Sequence, residues 1–129
     1  MAIKISGVKA INFDRKTLHA EFQITFSKDG RLNSIIKTFP LKGPVRIVSD
    51  IVYTIKSKDR LIIDDPTLDP VEKLNFYSPI IIENLEQTEE KLLNYFSELC
   101  KQAAKLSKIK DAKEHLRILD QLKTTSLVL

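Results

Sequence analysis

The sequence predicts an α+β fold, a four- to five-stranded antiparallel meander followed by two or three C-terminal helices packed on one face. Three observations carry this. Leu18, Ala20, Phe22, Ile24 and Phe26 alternate with His19, Glu21, Gln23 and Thr25 in strict period two, the pattern of a half-buried antiparallel strand. Asp29-Gly30 follows at once, a pair suited to the positive φ angles of a tight hairpin. From Leu85 onward the apolar period changes to three and four, as on the buried face of a helix.

In chain order, Ile3 and Ile5 alternate with Lys4 and Ser6, and Ile11 and Phe13 resume after Gly7. A glycine inside such a run marks a bulge or bend. Asp14-Arg15-Lys16 turns the chain into the second strand, and the Asp29-Gly30 turn leads to a third from about Arg31 to Phe39. Pro40-Leu41-Lys42-Gly43-Pro44 reads as a loop. Val45, Ile47, Ile51, Tyr53 and Ile55 alternate again, which predicts a fourth strand, with Val48 and Val52 on its other face. Lys58-Asp59 turns into a short fifth strand, Arg60 to Ile63.

Asp65-Pro66 and Asp69-Pro70 are helix starts, an aspartate cap followed by a proline where no N–H is needed, and a short helix through about Phe76 follows. Pro79 to Ile82 is either a short buried strand or the first turn of the next helix. Asn84 and Gln87 have capping-box spacing. Leu85, Leu92, Phe96, Leu99, Ala103 and Leu106 then predict a helix over 85–107, and Ile109, Ala112, Leu116, Leu119 and Leu122 continue the rhythm. One unbroken helix over 85–123 would be about 60 Å long, too long for a compact domain of this size. Asp111 and Glu114 offer a second cap pair, so a break is expected near Ser107 to Asp111. Thr124 to Leu129 is left as a tail or a small edge strand. The expected organisation is one domain over 1–129, with the antiparallel sheet in 1–64 and a mainly helical part in 65–129.

A chain of 129 residues, 43% hydrophobic and 29% charged, can build its own core. Its uncharged runs are far short of the roughly 20 apolar residues of a membrane span, and its alternating N-terminus does not resemble a signal peptide. The single cysteine, Cys100, leaves no partner for an internal disulfide and points to a reducing, cytoplasmic compartment. The net charge of +4 is unevenly spread: 1–64 carry twelve basic and six acidic residues, 65–98 two and eight, and 99–129 seven and three. The segments either neutralise one another or leave a basic face for an anionic partner.

No constellation names a reaction. Asp64, Asp65 and Asp69 cluster at a predicted strand end, where carboxylates can hold a hard cation, but two of the three are explained as caps. His19 and His115, the two histidines, belong to solvated faces and have no assignable catalytic partner. Cys100 is in phase with the apolar stripe of its helix and reads as a structural thiol. The three glycines form no phosphate-binding loop, so no cofactor is expected. Phe13, Phe22, Phe26 and Tyr53 are in phase with aliphatic neighbours and read as core rather than as a base-stacking platform.

Two surfaces remain as candidates. The amphipathic helical region from about Leu92 to Leu122 predicts a non-catalytic protein interaction or assembly role, with a protein partner or further copies of the chain seated on Leu92, Phe96, Leu99, Leu116 and Leu119. The alternative is sequence-tolerant nucleic-acid binding. Lys101, Lys105 and Lys108 share one helix face, Lys110, Lys113 and Arg117 share the next, and such a stripe, with a basic sheet surface, suits a phosphate backbone.

Overall fold

The computed structural model describes residues 2–58 and 81–129. The expected strand over Arg60 to Ile63, the proline-associated caps, the short helix to Phe76 and the Asp64, Asp65, Asp69 cluster lie outside the described residues.

Three long strands open the chain: β1 (Ala2–Asp14), β2 (His19–Lys28) and β3 (Arg31–Pro40). They form an antiparallel meander with β2 in the middle. Asp29 and Gly30 both take positive φ, 51° and 76°, and pair Lys28 with Arg31 across a two-residue turn. That turn fixes the register of the hairpin. In β1 the register shifts between Ile5 and Gly7 and again between Ala10 and Asn12. The shifts keep Ile3, Ile5, Val8, Ala10 and Phe13 on the buried face although their spacing is not two throughout.

The predicted fourth strand is a helix, α1 (Pro44–Lys58). Ile47, Ile51 and Ile55 are four residues apart, a spacing that satisfies both periods. What decides is that Val48 is buried beside Ile47, while Val45 and Tyr53 are 66% and 67% exposed. Tyr53 is therefore surface and not core. Gly43, at φ 71°, makes the entry and Pro44 occupies the first helical position. The division into a sheet over 1–64 and helices over 65–129 is corrected accordingly. Among the described residues, a helix lies in the first half and two strands lie in the second.

Those strands are β4 (Ile81–Ile82) and β5 (Ser126–Val128). Both pair with the edge of β1 that β2 does not use, β4 in parallel at Ala2 and Ile3, β5 antiparallel at Gly7 to Lys9. Among the described residues the sheet is thus mostly antiparallel with one parallel pair, and the meander runs through three strands.

Between them run α2 (Leu85–Leu106) and α3 (Ala112–Thr124). The expected break is present. The Asp111 carboxylate accepts hydrogen bonds from the Lys113 and Glu114 amides and starts α3. Asn84 does not cap α2 with its side chain; it sits in the left-handed region at φ 49°. Sheet and helices enclose one core, in which Phe22, Phe26, Phe96, Ile51, Ile55, Leu92 and Ile118 are almost fully buried. Among the described residues no helix is long and apolar enough to cross a membrane.

Candidate functional site

Register decides which residues face away from the helices. The pairs Ile5–Phe26, Val8–Ile24, Ala10–Phe22 and Phe13–Ala20 point into the core. The intervening pairs Lys4–Ser27, Gly7–Thr25, Lys9–Gln23, Asn12–Glu21 and Asp14–His19 therefore point outward. On β3 the partners of Gln23 and Ser27 are Ile36 and Leu32, so these two aliphatic side chains share the outer face. On the far side of β1, Ile81 opposite Ala2 and Val128 opposite Gly7 do the same. Leu32 is 75% exposed, Ile36 62%, Ile81 63% and Val128 86%. The outer face thus has aliphatic groups at both margins, amides and hydroxyls between them, and Lys4 and Lys9 set against Asp14 and Glu21.

The residues predicted for a helical protein interface mostly turn inward. Leu92 and Phe96 are fully buried, Leu99 and Leu119 nearly so, and only Leu116, 60% exposed, remains on the surface. Their helical spacing marked the stripe packed on the sheet. The long helix that would have projected toward another chain is instead folded back at Ser107 to Asp111.

The basic residues Lys101, Lys105, Lys108, Lys110, Lys113 and Arg117 are all exposed, at the end of α2, in the turn and along α3. They do not form an uninterrupted cationic stripe. The Arg117 guanidinium grips the Glu114 carboxylate through Nε at 3.0 Å and through Nη2. Its hydrogen bonds hold the Glu114 carboxyl below the usual range, and the charge of Lys105 adds to the effect. The helices cover one face of the sheet, so the stripe belongs to the opposite layer from Lys4 and Lys9. Sheet and stripe do not merge into one basic platform.

The remaining candidates are accounted for locally. His19 Nδ1 lies 2.9 Å from the Thr17 carbonyl, which places the ring proton on Nδ1 and ties the imidazole to its own turn. Asp14 caps that turn through the amides of Lys16 and Thr17, which lowers its pKa. Cys100 is half-buried and burial pushes its thiol up, away from the reactive thiolate. No group of three or more histidine, cysteine or acidic residues among the described residues is disposed to hold a metal ion. A groove of about 640 Å³ between α2 and α3 is bordered by Tyr95, Gln102, Gln121 and Thr125. Among the described residues the Gln102 side-chain oxygen is buried without a hydrogen-bond partner, and burial raises the pKa of the Tyr95 hydroxyl, against which Thr125 acts.

No family model, curated protein or solved structure matches this chain.

Sequence reasoning missed the outer aliphatic residues. A signal for two of them was present: once Asp29-Gly30 sets Lys28 opposite Arg31, counting along the hairpin puts Leu32 and Ile36 opposite Ser27 and Gln23, on the polar side of β2.

Proposed function

We propose that this is a non-catalytic interaction or assembly protein that binds a protein surface through the open face of its sheet. The observation that carries this reading is the placement of Leu32, Ile36, Ile81 and Val128 on one uncovered face, each more than half exposed. Aliphatic residues gathered on a face, with amides and hydroxyls among them, match the mixed composition of non-obligate protein interfaces. Near-balanced charge on that face suits a protein better than a polyanion. A reducing cytoplasmic setting agrees with the single half-buried thiol.

The test is sedimentation velocity of the full chain over a wide concentration range, with Ile36→Asp as the variant, followed by cross-linking through Lys9 in lysate. Reversible self-association abolished by Ile36→Asp supports the reading. So does a monomer that cross-links through Lys9 to one defined protein, lost in the same variant. A monomer whose Lys9 cross-links nothing, or cross-links identically in Ile36→Asp, overturns it.

The second reading, nucleic-acid binding through the exposed lysines of α2 and α3, is favoured by the exposure of all six basic side chains. It requires affinity that falls steeply with salt and is weakened by Lys101→Glu with Lys105→Glu. Anisotropy with labelled DNA and RNA at low and physiological salt decides it.

A further inference from the structure

The open face of the sheet is divided by charge along its strands. Lys4 and Lys9 stand toward one end, opposite Ser27 and Gln23, and Asp14 and Glu21 stand toward the other, opposite His19 and Asn12. Lys4, Lys9 and Asp14 are exposed and Glu21 is half-buried. The Ser27 and His19 rows that bound the face lie roughly 27 Å apart along β2. The whole chain carries a net charge of +4, yet these two lysines and two carboxylates cancel, so a second copy of the face meets no net repulsion from them.

Two copies can stack these faces about a two-fold axis in either of two ways. An axis along the strands brings basic end to basic end and acidic end to acidic end. An axis across the strands reverses their direction, keeps β1 over β1 and β3 over β3, and lays the basic end of each copy over the acidic end of the other. Opposite charges favour and orient association where like charges oppose it, so the second arrangement is selected. It also brings the two Ile36 side chains, 62% exposed in the single chain, toward each other near the axis. The three long strands hold 13, 10 and 10 residues. With the edge strands they present a face of roughly 30 Å by roughly 19 Å. Two such faces bury roughly 1,200 Å², the lower end of a standard protein interface.

We propose that the occupant of the open face is a second copy of this chain, stacked sheet on sheet with its strands reversed, so that Lys9 of each copy meets the partner's Glu21. A second copy as occupant rests on the reading of this face as protein-binding, and adds to it a direction and an ion pair. The two-fold axis makes that pair twice in each dimer. Sheets stacked in this way keep their strands within about 30° of one another, which leaves the Lys9 ammonium, on its long flexible stem, within reach of the carboxylate across the interface.

The experiment is sedimentation velocity of the full chain, with Lys9→Glu and Glu21→Lys studied singly, as a mixture of the two variants, and combined in one chain. The unmodified chain is expected to dimerise, and each single reversal to weaken the dimer about tenfold. Association is expected to return in the mixture and in the doubly substituted chain, because each restores opposite charges across the axis. A variant that had merely lost its fold would not be rescued by mixing. A dimer indifferent to both reversals, or single variants whose mixture stays dissociated, overturns the proposal. So does a chain that is monomeric at every concentration. In that case the cross-link through Lys9 separates two failures: one defined foreign protein, lost in Ile36→Asp, leaves the face protein-binding without a second copy, and no cross-link removes both.

Discussion

The rings of Phe22 on β2 and Phe96 on α2 meet edge to face, their centroids 5.1 Å apart and their planes at 77°. Phe39 and Tyr95 approach the same pair, so one aromatic cluster joins the sheet to α2. Removing Phe96 deletes the centre of that joint. Phe96→Ala is expected to cost about 3–5 kcal/mol, measured by urea unfolding, whereas Leu116→Ala on the exposed side of α3 stays within about 0.5 kcal/mol. Equal losses would contradict the burial of the stripe.

The helical register of α1 makes a prediction that a strand would reverse. Tyr53 and Ile51 belong to the same phase of a two-residue period, yet one is exposed and the other fully buried. Tyr53→Ser should change stability by less than about 0.5 kcal/mol, and Ile51→Ala should lower it by about 2–5 kcal/mol. Comparable losses at the two positions would argue for the strand.

Asp111 separates α2 from α3 by satisfying two amides at the start of α3. Asp111→Ala is expected to lose about 1 kcal/mol, with amide exchange of Lys113 and Glu114 accelerated before that of Leu122. Unchanged protection at Lys113 and Glu114 would show that the carboxylate is not what starts this helix.

The ion pair of Glu114 with Arg117 gives a pH dependence of definite sign. Because the pair lowers the folded-state pKa of Glu114, its contribution is present above the ordinary carboxylate range. It is lost as pH falls through the lowered folded value. In Arg117→Gln the Glu114 carboxyl, followed by NMR, should titrate at a higher pH than in the unmodified chain. An unmoved titration curve would remove Arg117 as the cause.

Much of this fold was legible because local signals agreed. The β2 alternation, the Asp29-Gly30 turn and the Leu92–Phe96–Leu99–Ala103–Leu106 stripe each allow one reading. The stretch from Val45 to Ile55 allowed two, since residues four apart are in phase for a strand and nearly so for a helix, and its β-branched composition favoured the wrong one. Only Pro44 at a first helical position and the adjacent Ile47-Val48 pair spoke for a helix. The outer face was harder for a different reason. Period two shows that β2 has two faces and that one is apolar. Where the aliphatic residues of β3 point depends on register, and where Ile81 and Val128 point depends on pairings made across most of the chain.

Those pairings bear on how the molecule is made. β1, made before the other strands described, has one edge that the adjacent hairpin fills within its own neighbourhood. The other edge waits for residues 81–82 and then 126–128. Contacts of such sequence separation slow folding, because a long loop must close before they form. During synthesis the β1–β2–β3 meander can therefore assemble early while the second edge of β1 stays bare, an edge open to pairing with other chains. The final closure belongs to Ser126, Leu127 and Val128, so a nascent chain halted before them would carry an exposed strand in the middle of its own sheet.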